Sequence, residues 1–112
     1  MARYATLDEV LASYPTRFHP EKAEGVDSTV LMSFSGADAR DVTVVVKDGT
    51  LDVRSGETAP DPTLTLKASS EDWLAVENGQ LNPMMAMMQG KLKLSGSVPF
   101  AMKFMQLFGY GG

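Results

Sequence analysis

Residues 82–108 read NPMMAMMQGKLKLSGSVPFAMKFMQLF, and the change of period within this stretch sets how the rest of the chain is read. Asn82 before Pro83 opens a helix, because an Asn side chain accepts from the first backbone N–H groups and proline suits the first helical position. Gly90 suits its end, where the backbone turns left-handed. Lys91 to Ser95 then alternates with period two, as a strand with one solvated face does. Ser97 caps a second helix, with Pro99 in its first turn and Gly109 past its end.

In that second helix Ala101, Phe104, Met105 and Phe108 fall at i, i+3, i+4 and i+7 and form one apolar face. Val98, Phe100, Met102 and Leu107 carry apolar surface further round, and only Lys103 and Gln106 are clearly polar between Val98 and Phe108. A helix apolar on nearly every side needs more cover than a small domain usually gives it. A ligand, a partner chain or a membrane has to meet the remainder. The stretch also holds six of the eight methionines. Methionine fills irregular gaps in cores and also lines surfaces that adapt to several partners, so the residues alone leave both readings open.

Working back to the start, Thr6-Leu7-Asp8-Glu9 is a capping box. Leu7, Val10, Leu11 and Tyr14 follow at helical spacing, and Pro15 is expected to end that helix. Arg17 to Lys22 reads as a linking turn or a short second helical piece. Val30, Met32 and Phe34 share one face of a strand over Ser28 to Phe34, and Val42, Val44 and Val46 share one face of the next, with Thr43, Val45 and Lys47 facing out. Asp48-Gly49 is a two-residue hairpin loop, and Leu51 and Val53 begin the return strand. Gly56 to Pro62 is a connection, and Leu64 and Leu66 mark a fourth strand. Ser69 to Asp72 opens a helix with acid in its first turn, and Asn78-Gly79 closes it. Trp73 on that helix reads as a core anchor or as part of a ligand wall.

The order of helix, three strands, strand, two helices, strand and helix predicts an α+β fold. Its largely antiparallel sheet has one solvated face and helices on the other. At 112 residues the chain is expected to be a single domain, residues 1–112.

Composition excludes much chemistry. There is no cysteine, so disulfides, thiol catalysis and Cys-based metal sites are ruled out. His19 is the single histidine and cannot make a zinc site alone. No nucleophile elbow, phosphate-binding glycine loop or dinucleotide fingerprint is present: Ser95-Gly96-Ser97 and Gly90-Lys91-Leu92 both fail their patterns. No metal or cofactor is expected, and no catalytic residues stand out. The net charge of −4 argues against nucleic acid. Charge is uneven, however: residues 1–77 carry −7 and residues 78–112 carry +3, from Lys91, Lys93 and Lys103 without a single acid. Those lysines either coat a wet strand face or draw an anionic headgroup to a pocket mouth. The N-terminus has no secretory h-region and no apolar run spans a membrane, so the expectation is a cytoplasmic protein with transient membrane contact at most.

The combination of Val30 to Gly36, Val44 to Gly49, Leu64-Thr65-Leu66 before Ser70 to Trp73, and Gly90 to Ser97 ahead of an apolar helix ending Leu107-Phe108 resembles the sterol carrier protein type-2 (SCP-2) lipid-transfer domain family. The similarity runs from about Phe18 to Phe108. It implies a five-stranded mixed sheet covered by helices, with an apolar tunnel between them, and non-enzymatic binding of fatty acids, fatty acyl-CoA, sterols or similar lipids. It also allows service as a lipid-presenting domain of enzymes. Placed on this chain, the apolar wall would come from Phe34, Trp73, Met84, Met85, Met88, Phe100, Phe104, Met105 and Phe108, with Lys91, Lys93 or Lys103 at a headgroup. The chain ends Gly-Tyr-Gly-Gly rather than in a peroxisomal address, which points to a stand-alone prokaryotic carrier. The rival expectations are a homodimer closed by the terminal helix and an accessory domain presenting a hydrophobic intermediate to a partner enzyme.

Overall fold

The computed structural model describes residues 3–108, the side chain of Val98 excepted. Thr6 and Glu9 make the expected reciprocal cap at the head of α1 (Leu7–Arg17). Pro15 does not end this helix, which runs on to Arg17. A proline costs the helix its own N–H bond and crowds the carbonyl four residues back, but the last turn has contacts both within the helix and beyond it: Arg17 Nη1 donates to Ser13 Oγ (3.1 Å) and Arg17 Nη2 to Glu77 Oε1 (3.2 Å). A single 3₁₀ turn, Pro20–Lys22, then leads to the sheet.

The strands are β1 (Ser28–Ser35), β2 (Arg40–Lys47), β3 (Thr50–Ser55), β4 (Leu64–Ser69) and β5 (Leu92–Gly96). Their spatial order is β3-β2-β1-β4-β5. β1 and β4 run parallel and every other neighbouring pair is antiparallel, so the sheet is mixed, as expected. The β2–β3 turn has Asp48 at φ 53° and Gly49 at φ 73°. Two positive φ values in a two-residue loop match the right-handed strand twist, and Asp-Gly is a sequence that tolerates them.

Register aligns Val44 with Val30, Val42 with Met32 and Met32 with Leu66. These side chains form one buried sheet face, and it joins Leu7, Val10, Leu11 and Tyr14 of α1, Trp73 and Val76 of α2 (Ser70–Glu77), and Ala101, Phe104 and Leu107 of α4 (Val98–Leu107) in one core. The other face is solvated but not throughout. Thr43 lies on it and is buried, because the connection after β3 crosses β2 there: Thr43 Oγ1 donates to the Glu57 carbonyl (2.8 Å) and Thr58 Oγ1 to Asp41 Oδ2 (2.7 Å). α3 (Pro83–Met88) is capped by Asn82, whose side chain accepts from Met84 N and Met85 N. Ser97 likewise caps α4 through Phe100 N. The expected closing role of Gly109 lies outside the described residues.

Arg40 fastens α1 to the sheet. It donates to both oxygens of Asp38 (3.0 and 2.6 Å), to Asp8 Oδ1 (2.8 Å) and to Ser55 Oγ (2.9 Å). The Arg40 hydrogen bonds hold the Asp38 carboxyl below the usual carboxylate range, against the opposing effect of burial and with the Arg40 charge adding to them. Hydrogen bonds from Ser70 and from the backbone, including Ala37 N–H, do the same for Glu71. Both carboxyls bind protons less readily folded than unfolded. They therefore add stability above their ordinary titration range, and that stability is lost as pH falls through the lower folded values. Asp38→Asn is expected to flatten the decline of unfolding free energy below about pH 4, read by urea titrations at stepped pH. A slope unchanged from wild type would separate Asp38 from acid sensitivity.

Candidate ligand-binding site

An apolar cavity of about 500 Å³ lies between the inward face of β4–β5 and helices α2, α3 and α4. Its floor is Leu64 and Leu66 of β4 with Leu92 and Leu94 of β5. Register sets Leu66 against Leu94, and period-two alternation sends all four leucines to the same side. Trp73 and Val76 come from α2, and Ala101, Phe104 and Met105 from α4. Helical spacing puts the three α4 residues on one stripe, and the small Ala101 leaves the room that a larger side chain would fill. Gly79, Leu81, Asn82, Pro83, Met84 and Met87 complete the wall along the turn into α3. The volume is within the range of small-molecule sites, and the lining is aliphatic and aromatic with few polar groups, as such sites are.

The wall is rigid at one side and soft at the other. Trp73 is fully buried, and its Nε1 donates to Tyr14 Oη (3.1 Å), which donates to Glu77 Oε2 (2.6 Å). That chain of hydrogen bonds fixes the indole plane behind the cavity. Opposite it, α3 is held by the buried Ala86, while Met84 is 70% exposed and Met87 42% exposed. Both methionines line the cavity and meet solvent, so its opening runs beside α3. Flexible thioether side chains at an opening can move aside without breaking backbone structure.

Of the residues proposed from sequence for the apolar wall, Trp73, Met84, Phe104 and Met105 line this cavity. Phe34, Met85, Met88, Phe100 and Phe108 are not among its lining residues. Phe34 packs beside the Trp73 ring at a tilt of 36°, with centroids 6.4 Å apart. Phe108 packs against Tyr14 (5.0 Å), Phe104 (5.1 Å) and Phe18 (5.9 Å) and so ties α4 to α1. Phe100 is half-buried beside Phe104 (6.3 Å). Met85 and Met88 point to solvent, 49% and 82% exposed. The leucines of β4 and β5, Val76 and Ala101 were not on the sequence's list of wall residues. Their signal was the strand alternation, which reports the buried face of a sheet without saying that part of it is left unfilled.

The lysines also sit elsewhere. Lys91 and Lys93 line a separate depression on the outer face of the sheet, and Lys103 is half-buried on α4 and lines neither hollow. Lys93 alternates with Leu92 and Leu94, so it cannot share their face. The aromatic side of α4 is covered within the chain: Phe104 and Phe108 are buried and need no second copy to shield them. Among the described residues no group of His, Asp and Glu is placed to hold a metal ion, and no helix is long and apolar enough to cross a membrane.

A profile of the SCP-2 sterol transfer family matches residues 7–109. The chain belongs to that family. Over 103 residues it is 25% identical to the hydroxysteroid dehydrogenase-like protein 2 of Xenopus tropicalis, a match that takes in 92% of this chain and 25% of that one. It is 30% identical over 89 residues to the non-specific lipid-transfer protein-like 1 of Caenorhabditis elegans, covering 74% of this chain and 71% of that one. Among solved structures it superposes on the inverting sec-alkylsulfatase Pisa1 from Pseudomonas sp. with a TM-score of 0.81 and 26% identity, over 96% of this chain and 17% of that chain. This SCP-2 domain thus spans a quarter of the dehydrogenase-like relative and about a sixth of the sulfatase. It is similar over most of its length to the nematode lipid-transfer protein.

Proposed function

We propose that this SCP-2 domain binds a long-chain apolar lipid, such as a fatty acid or fatty acyl-CoA, in the cavity beneath β4–β5 and transfers it without catalysing a reaction. Membership of the SCP-2 family and similarity to a lipid-transfer protein support lipid binding or transfer. The observation that carries the reading is the cavity itself: four leucines, Trp73 and Phe104 around 500 Å³, with methionines at its opening. Burying ten methylenes there would contribute about 8 kcal/mol before the cost of association. Adaptable methionines at the rim suit cargo of more than one length.

Native mass spectrometry of the purified protein, followed by organic extraction, tests this. A lipid that leaves on denaturation, or a one-to-one adduct formed on incubation with palmitate, is expected. A protein that is empty as purified and takes up no fatty acid would overturn it.

A second reading is favoured by the coverage of the relatives. In the dehydrogenase-like protein and in Pisa1 the matching region is a fraction of a larger chain. The same cavity would then present a hydrophobic substrate to a partner enzyme rather than carry cargo between membranes. Co-purification with a biosynthetic enzyme would favour this reading over transfer.

A further inference from the structure

The sheet face opposite the apolar cavity carries a hollow of about 470 Å³ whose polar lining is Lys67, Lys91, Lys93, Ser33, Ser35, Ser69 and Asp72. We infer that this hollow is a second binding site, for a phosphate-bearing anion. The argument begins with register. Lys67 of β4 lies directly opposite Lys93 of β5, and Ser33 of β1 lies opposite Lys67 on its other side. Like charges directly opposite on neighbouring strands destabilise a sheet. Among the described residues neither lysine of this pair is in an ion pair. Arg17, Arg40 and Arg54 each form ion pairs, yet among the described residues no lysine does.

The chain has 14 acidic residues against 10 basic ones, so partners were available to selection, and Asp72 is the only acid lining the hollow. Asp72 also sits in the first turn of α2, where its own N–H donates to Ser69 Oγ (3.0 Å) and its charge complements the helix start. Guarding the edge strand β5 against unwanted pairing would account for Lys93. It does not account for Lys67, which is on an interior strand, or for the convergence of Lys91 from the turn after α3. Three ammonium groups and the Ser33 and Ser35 hydroxyls around one concavity face a single carboxylate, Asp72, and so leave a surplus of positive charge and of donors. Lysine serves phosphate as a point charge in this way. The hollow and the apolar cavity are separated by the thickness of the sheet, so this site stands or falls apart from the lipid-binding reading.

Free phosphate esters and lipid headgroups share this chemistry, and the test separates them. In one arm inorganic pyrophosphate is titrated into the ¹⁵N-labelled protein. In the other, co-sedimentation is measured with phosphatidylcholine vesicles with and without phosphatidylglycerol. Both arms include Lys67→Ala/Lys93→Ala, a change on a solvated face that removes repulsion and should melt no lower than wild type. Saturable shifts at the amides of Ser33, Ser69 and Lys91 to Lys93, weakened at least roughly tenfold in the double variant, establish a soluble phosphate ligand. Binding only to phosphatidylglycerol vesicles, lost in the double variant, establishes a headgroup. Equal behaviour of variant and wild type in both arms, or no binding in either, overturns the site.

Discussion

Ala101→Trp is expected to leave the fold intact and to weaken fatty-acid binding by roughly a hundredfold. Ala101 is buried on α4 and lines the cavity, so an indole there grows into empty space rather than into packed neighbours. It would occupy the volume of about four ligand methylenes, worth about 3 kcal/mol of burial, which is roughly two decades in affinity. Filling a void also restores missing dispersion contacts, so the melting temperature should hold or rise. Displacement of a fluorescent fatty acid gives the affinity, and a thermal melt gives the stability. Met88→Ala is the control: Met88 is exposed and does not line the cavity, and its affinity should match wild type. Full affinity in Ala101→Trp would place the ligand somewhere else.

Arg17→Met should destabilise the protein by about 3–5 kcal/mol, read by urea unfolding. The Glu77 side chain is fully buried and the Arg17 guanidinium, 3.2 Å away, is largely so. Removing Arg17 leaves the Glu77 carboxylate buried without this counter-ion, though Tyr14 Oη still donates to it, and that penalty is larger than the net worth of the pair. The Arg17 guanidinium also lies over the Tyr14 ring, 5.4 Å from its centroid, and its loss removes that contact. Against a typical total of about 5–15 kcal/mol the single change leaves a marginal fold. Arg17→Met combined with Glu77→Leu should recover much of the loss, because both charges are then gone. If the double variant is no better than the single one, the cost is packing of the long Arg17 stem and not the stranded carboxylate. The same cluster holds Trp73 behind the cavity, so Arg17→Met should also weaken ligand binding while folded.

Period and punctuation revealed the elements well. The Thr6–Glu9 box, the Asp48-Gly49 loop and the caps at Asn82 and Ser97 are local chemistry, decided by residues within four positions of one another. Pro15 misled in part for the opposite reason: besides the local bond to Ser13, the last turn of α1 is met by Glu77, sixty residues away. The apolar wall was only half legible. Trp73, Met84, Phe104 and Met105 stand out by size and spacing, and they line the cavity. Phe34 and Phe108 stand out equally, but they fill core between α1, α2 and the sheet. Apolar periodicity reports which side of an element is dry. It does not report whether the dry side meets a neighbour or a void: the pattern puts Ala101 on the apolar face of α4, but not that its small side chain borders a cavity. Of the two readings of the lysines, strand alternation gives Lys93 the wet strand face, across the sheet from the leucines.

The parallel seam between β1 and β4 has a consequence for how the molecule assembles. The β2–β3 hairpin closes across two residues and β1 joins it through a short turn, so that half of the sheet forms from near neighbours in sequence. Pairing β4 alongside β1 requires residues 36–63 to loop back first, and β5 follows only after α2 and α3. Contacts between distant segments form late because their loop entropy must be met before they reward it. On a ribosome β5 and α4 emerge after the other described elements, and the leucine floor stays open to water until α4 folds over it. The cavity is therefore complete only when α4 has packed, and a ligand of the proposed kind present at that moment would be bound by the same step that completes the core.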